Sequence, residues 1–348
     1  MKRTDRISFN SFKLCVSLVV LITTAVFSVA CSRGTADSER QDKLIIYAYD
    51  SFASDWVIGP EAVRLFSEKT GYKVELVAVG DAGQVLSRAM LEKRKPRADV
   101  LVGIDNNLLP KARAAGVLES WKGESSSLVP AQFVLSDDWL LTPYDWGSFA
   151  LIFDTASGLR PPESLEDLTS SEYTGRLILM DPRTSTPGLG FLAWTMAVYG
   201  DAWKDYWTRL KPSILTMAPG WDTGYGLFTS GEAPLVISYT TSPAYHVEYD
   251  QTDRYQALIF AEGHVSQIEG LGVVAGAPNR TAAREFVDFM LGEEVQSILP
   301  LRQWMYPVLP GVSLPASYDA APQPEKQLSV SVSALEPAVA ELQSVLGR

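Results

Sequence analysis

Six aromatic residues, Tyr49, Trp56, Trp221, Tyr239, Tyr245 and Trp304, fall where strand-like runs end or loops begin. Large aromatics normally pack inside helices and strands. A set of them at element ends suits a cage for a flat or cationic ligand, because their faces carry negative potential. Asp50, Asp81 and Asp105 lie at strand ends too. A carboxylate there either faces a cation or caps the helix that follows, and for Asp105 the cap is the preferred reading. Ser185-Thr186-Pro187-Gly188 has the opposite character. Proline in a first helical turn fixes the helix start, and the free N–H groups beside two hydroxyls suit an anion, phosphate above all, or simply an N-cap. The run Ser238-Tyr239-Thr240-Thr241-Ser242-Pro243-Ala244-Tyr245-His246 follows the short apolar strand Leu235-Val236-Ile237. In open α/β sheets ligands bind beyond the carboxyl ends of strands, so this run reads as a cleft lining or, taken alone, as an ordinary turn.

The elements that must position these residues alternate. Leu44–Tyr49, Val74–Val79 and Ala98–Gly103 read as strands, each followed by an amphipathic helix, an order that implies a parallel sheet covered by helices. With 348 residues, two lobes are expected. The chain is expected to pass between them near Pro143 and again between Glu262 and Ser266. One lobe then comprises 43–142 with about 263–310, and the other 143–262. Residues 311–348 form a C-terminal extension packing on the lobes.

Lys2, Arg3, Arg6 and Lys13 precede an apolar stretch ending in small residues, so 1–30 read as a signal peptide and 31–42 as a flexible tether. Cys31 directly after Ser28-Val29-Ala30 suggests bacterial lipoprotein processing and membrane anchoring through a lipid on Cys31. Ser28-Val29-Ala30 equally fits simple cleavage. The chain has two cysteines, and Cys15 lies in the leader, so the remainder can form neither an internal disulfide nor a thiolate metal cluster. The net charge of −11 argues against nucleic acid and is compatible with a cationic ligand. His246 and His264 have no second ligand at metal spacing and read as hydrogen-bonded structural residues. No P-loop, G-x-G-x-x-G or G-x-S-x-G motif occurs. The sequence therefore implies no cofactor and no catalytic centre.

Tyr49-Asp50-Ser51-Phe52, Asp105-Asn106-Asn107-Leu108-Leu109, the run Asp181–Gly190, the run Ser238–His246 and Trp304-Met305-Tyr306-Pro307-Val308 together resemble the thiamine-binding proteins of bacterial ABC transporters, in order from about Lys43 to Pro310. The resemblance implies a two-lobed α/β periplasmic-binding-protein fold of class II type, with two crossovers and a ligand cleft between the lobes. It implies thiamine, thiamine monophosphate and thiamine diphosphate as ligands, captured outside the cytoplasm for delivery to an ABC permease. By the same resemblance Tyr49, Trp56, Trp221, Tyr239 and Trp304 enclose the thiamine rings, and Asp81 and Ala82 contact the ligand. Ser185 and Thr186 hold the phosphate, and Tyr239, Thr240, Thr241, Ser242 and Pro243 line the cleft. Ala82 stands where the family is expected to have glycine. A binder of the same fold for a polyamine is the alternative. Iron binding would need adjacent tyrosines or metal-spaced histidine and glutamate, which are not found. Thiamine degradation would need a cysteine nucleophile in the cleft, and Cys31 is at the wrong end of the chain.

Overall fold

The computed structural model describes residues 42–347; the leader, Cys31 and nearly all of the tether lie outside the described residues. The chain begins with β1 (Lys43–Ala48), an apolar run buried along almost its whole length, as expected for a strand covered on both faces. It pairs in parallel with β2 (Lys73–Ala78) and β3 (Val100–Asp105). The helix Ile58–Thr70 between β1 and β2 ends on Gly71 at φ 82°, a left-handed stop. The helix Ala82–Glu92 between β2 and β3 opens with a capping box in which Asp81 and Gln84 satisfy each other's backbone.

The chain then turns into β4 (Thr142–Asp154), 13 residues long. This one strand serves two sheets. Thr142–Ser148 pairs antiparallel with β9 (His264–Val273), which also flanks β3. Phe149–Phe153 pairs antiparallel with β7 (Leu235–Tyr239). Beyond β7 the order continues through β5 (Leu177–Met180) and β6 (Ile214–Ala218), which run parallel to it and to each other, while β8 (Tyr255–Leu258) pairs with β4. The complete order β2-β1-β3-β9-β4-β7-β5-β6 is thus mixed. The parallel arrangement expected from the β-α alternation holds inside each half. The antiparallel strands are those that run between the halves or return from them.

Two cores flank this passage. One gathers Tyr47, Phe52, Phe66 and Phe286, the other Phe191, Trp194, Tyr206 and Trp207. The helix Leu335–Leu346 bridges them, with Leu335 in the first and Ala338, Leu342 and Leu346 in the second. His264 marks the returning connection. Its Nδ1 donates to the Phe149 carbonyl and its Nε2 accepts from the Phe260 N–H, both at 2.8 Å. Those two bonds fix a neutral tautomer, consistent with burial lowering its pKa. His264 is the structural histidine that the sequence suggests.

Candidate functional site

A cavity of about 370 Å³ lies between the two halves, at the carboxyl ends of β1 and β7. That volume suits a small organic ligand. Tyr49 follows β1 directly. Its ring has space because residue 103 is glycine: a Cβ there would come within 2.3 Å of Tyr49 Cδ1, and the φ of 98° disfavours other residues. Opposite, Trp221 opens the helix Trp221–Thr229. Its ring stacks on Tyr225 at 4.7 Å between centroids, and its indole N–H donates to Ser238 Oγ at 2.8 Å. Tyr225 meets His246 Nε2 at 2.9 Å, and His246 Nδ1 meets Asp250 Oδ2 at 2.7 Å. Trp221 is thus tied to Ser238, and Tyr225 to His246 and through it to Asp250.

Tyr239 stacks on Phe149 at 5.1 Å and donates from its hydroxyl to Gln267 Oε1. Tyr245 stands edge-on to Trp304 at 5.5 Å, with Trp56 on its other side at 5.9 Å. Trp304 has φ 58°, a left-handed conformation uncommon for a bulky residue. Its indole N–H is buried without a partner, and its ring lines the cavity. Strain and an unmet donor at one cavity residue are features that concentrate at ligand sites.

The charge on the walls has one sign. Asp81, Asp222, Asp250 and Glu269 line the cavity and, among the described residues, no lysine or arginine does. Burial pushes Glu269 up to about 7. Burial, followed by the charges of Asp50 and Asp81, pushes Asp222 up to about 6. A cation would relieve this crowding. Among the described residues, no three His, Cys, Asp or Glu side chains converge as metal ligands.

Of the residues that the sequence singles out, Tyr49, Trp56, Asp81, Thr186, Trp221, Tyr239, Ser242, Tyr245 and Trp304 line this one cavity. Ala82, Ser185, Thr240, Thr241 and Pro243 do not. Thr240 and Thr241 are fully buried in the turn after β7, with Thr240 N–H bound back to the Ser148 carbonyl. Pro243 is buried in the short helix Ser242–Tyr245, and Ala82 in the first turn behind Asp81. Ser185 precedes the helix Thr186–Tyr199, and its hydroxyl is buried without a hydrogen-bond partner. Asp105 accepts from the N–H groups of Asn107 and Leu108 and so closes the turn after β3. The helix Leu109–Ala115 begins at Leu108 without a side-chain cap, so the helix cap expected of Asp105 is not formed.

Tyr225, Asp222, His246, Glu269, Gln303 and Met305 also line the cavity and were not singled out as contacts. Glu269 carried a signal: it is a lone carboxylate within the apolar run Ile268-Glu269-Gly270-Leu271-Gly272-Val273-Val274. His246 is hydrogen-bonded, as a structural histidine should be, but it is also part of the wall.

The family model for bacterial extracellular solute-binding proteins matches residues 61–326. The chain is 41% identical over 315 residues to the thiamine-binding periplasmic protein of Brucella abortus, covering 90% of this chain and 93% of the relative. It is 38% identical over 316 residues to the protein of the same name from Escherichia coli, covering 91% and 92%. A solved periplasmic thiamin binding protein superposes with a TM-score of 0.83 at 38% identity, covering 88% of this chain and 96% of that one. The apo ferric ion-binding protein A of Pasteurella haemolytica shares the fold at 18% identity, with a TM-score of 0.72 and coverage of 87% and 98%.

Proposed function

This chain belongs to the bacterial extracellular solute-binding proteins, alongside their thiamine-binding periplasmic members, and from that premise we propose that its cavity captures thiamine and its mono- and diphosphate for delivery to an ABC permease. The observation that carries the reading is the pairing of seven tyrosine and tryptophan rings with an acidic wall free of basic side chains among the described residues. Thiamine joins an aminopyrimidine to a permanently cationic thiazolium. Stacking and cation–π contacts serve both rings, each worth about 0.5–2 kcal/mol. The helix start at Thr186 supports the phosphate esters, since it opens onto the same cavity. The protein is a binder and carries no catalytic step. It works in the periplasm, and the lipoprotein-like start at Cys31, outside the described residues, supports tethering to a membrane by an N-terminal lipid.

Calorimetric titration of the purified protein with thiamine, its two phosphates and spermidine tests the reading. Tight thiamine binding with weak spermidine binding is expected. Binding of spermidine but not thiamine would replace this function by the polyamine alternative. Incubation with thiamine and a thiol should release no thiazole. Cys31→Ser should move the exported protein from the detergent phase to the aqueous phase.

A further inference from the structure

Asp145 of β4 and Glu269 of β9 are direct partners in the antiparallel ladder, at a register shift that follows Pro143. Partners of this kind share a face with their Cβ atoms about 5 Å apart, and like charges there repel. Both side chains are buried, Asp145 fully and Glu269 to 5% exposure. Neither forms an ion pair with a lysine or arginine among the described residues. Two uncompensated charges buried side by side are too costly to persist, so the pair holds one proton. In keeping with that, burial and its partner's charge raise Asp145 well above the usual carboxylate range.

The arrangement is built on one side and open on the other. The hydroxyls of Tyr49 and Tyr144 both donate to Glu269 Oε2 at 3.0 Å, and Gln303 in turn donates to the Tyr49 hydroxyl. Oε1 receives neither tyrosine. Glu269 lines the cavity, as does the ring of Trp304 with its unpartnered indole N–H. Neither oxygen of Asp145 has a donor. A singly charged carboxyl pair is thus held rigidly with acceptor capacity in reserve.

We propose that the Asp145–Glu269 pair is the specificity element for the ligand's amino-bearing ring, with Glu269 accepting a hydrogen bond from the exocyclic amine of an aminopyrimidine. This rests on the thiamine reading and adds which end of the molecule the pair reads. An acceptor fixed by two tyrosines favours an N–H donor and rejects a carbonyl oxygen at the same place. Sites that hydrogen-bond a substrate group discriminate strongly against analogues lacking it.

Oxythiamine, in which a ring carbonyl replaces the amine, isolates this contact because its thiazolium is unchanged. Calorimetry should show the wild type preferring thiamine to oxythiamine by at least about tenfold. Glu269→Gln can present its amide either way, so the preference should shrink to about threefold or less, mainly by loss of thiamine affinity. Asp145→Asn should keep the preference, because its amide can donate to a fully charged Glu269. Thermal melts establish that each variant folds, and the wild-type ratio needs no variant at all. Equal wild-type affinities for the two compounds would overturn the proposal while leaving thiamine binding intact. So would equal losses of both ligands in Glu269→Gln. Failure of the wild type to bind either compound would overturn the thiamine reading and this inference with it.

Discussion

The Asp81 carboxylate accepts a hydrogen bond from the backbone N–H of Trp221 at 3.0 Å, joining the two halves of the molecule across the cleft. The same carboxylate caps the helix Ala82–Glu92 through the Ala82 N–H. Beside it, the Gly83 N–H donates to the Thr184 carbonyl at 3.0 Å, where a Cβ on Gly83 would come within 2.6 Å of that oxygen. The contact is thus a close backbone approach of two lobes, closed by one side chain.

Capping and closure can be separated by substitution. Asp81→Ser retains an N-cap oxygen but is too short to reach Trp221, so it should leave the melting temperature nearly unchanged. It should weaken thiamine binding by about 1–2 kcal/mol, seen as faster release in stopped-flow fluorescence. Asp81→Ala should lose both, with a further 0.5–2 kcal/mol or so of stability gone. Unchanged release rates in Asp81→Ser would show that the link has no part in retention.

Trp221 and Tyr239 should behave differently although both line the cavity. Trp221 is half-buried, packs against the second core only, and is held by Tyr225 and Ser238. Trp221→Ala should cost about 1–3 kcal/mol of thiamine affinity and little stability. Tyr239 packs against both cores and stacks on fully buried Phe149. Tyr239→Ala should lower stability by about 3–5 kcal/mol as well as weaken binding. Denaturant titrations beside calorimetry would separate the two effects, and equal stability losses would contradict the assignment of Tyr239 to the core.

Tyr49 and Tyr239 are legible in the sequence because they sit at the ends of β1 and β7, whereas Trp56, Tyr245 and Trp304 lie in or beside short helices and reach the cavity only through the tertiary fold. The break in composition near Pro143 falls at the start of β4, while the strand changes partners only between Ser148 and Phe149, a point that composition does not mark. Glu269 meeting Asp145 is not legible either, because it depends on the β4–β9 register and on a shift after Pro143 that pattern alone does not reveal. Thr240 and Thr241 show the reverse error: hydroxyls after a strand look available, yet the turn folds them inward. Asp81 reads correctly as a strand-end carboxylate, but its reach to Trp221 belongs to the closure of one lobe on the other.

The carboxyl pair predicts a pH dependence. Glu269 has its folded pKa raised from 4.5 to about 7. Its contribution to stability is therefore fully present below the unfolded value and is lost as pH rises through about 7. Glu269→Gln removes the charge that burial opposes. Relative to wild type, the ligand-free variant should gain stability on going from pH 5 to pH 8.5, by on the order of 1–3 kcal/mol. Parallel pH profiles of melting temperature for the two proteins would contradict this. The same substitution should weaken thiamine binding, so stability and affinity should move in opposite directions.

The phosphate end carries the sharpest test, because Asp81 already faces the helix start assigned to the phosphate. The Ser185 hydroxyl beside that helix start is buried without a partner. Asp81 lines the same cavity as Thr186, and burial raises the pKa of its carboxylate. A phosphate arriving at Thr186 would meet that negative charge before it gained from the helix dipole, worth about 0.3–2 kcal/mol. Asp81→Asn keeps an oxygen that can accept from Trp221 N–H while removing the charge. If the phosphate sits there, this variant should improve thiamine monophosphate relative to thiamine by about tenfold, through relief of repulsion at short range. Ser185→Ala with Thr186→Ala should do the opposite. It should weaken the mono- and diphosphate by about tenfold, from the loss of charge-assisted bonds, and change thiamine much less. Calorimetry of the three ligands against both variants decides the matter. Ratios that stay constant across wild type and both variants would place the phosphate elsewhere in the cavity and leave Asp81 to closure alone.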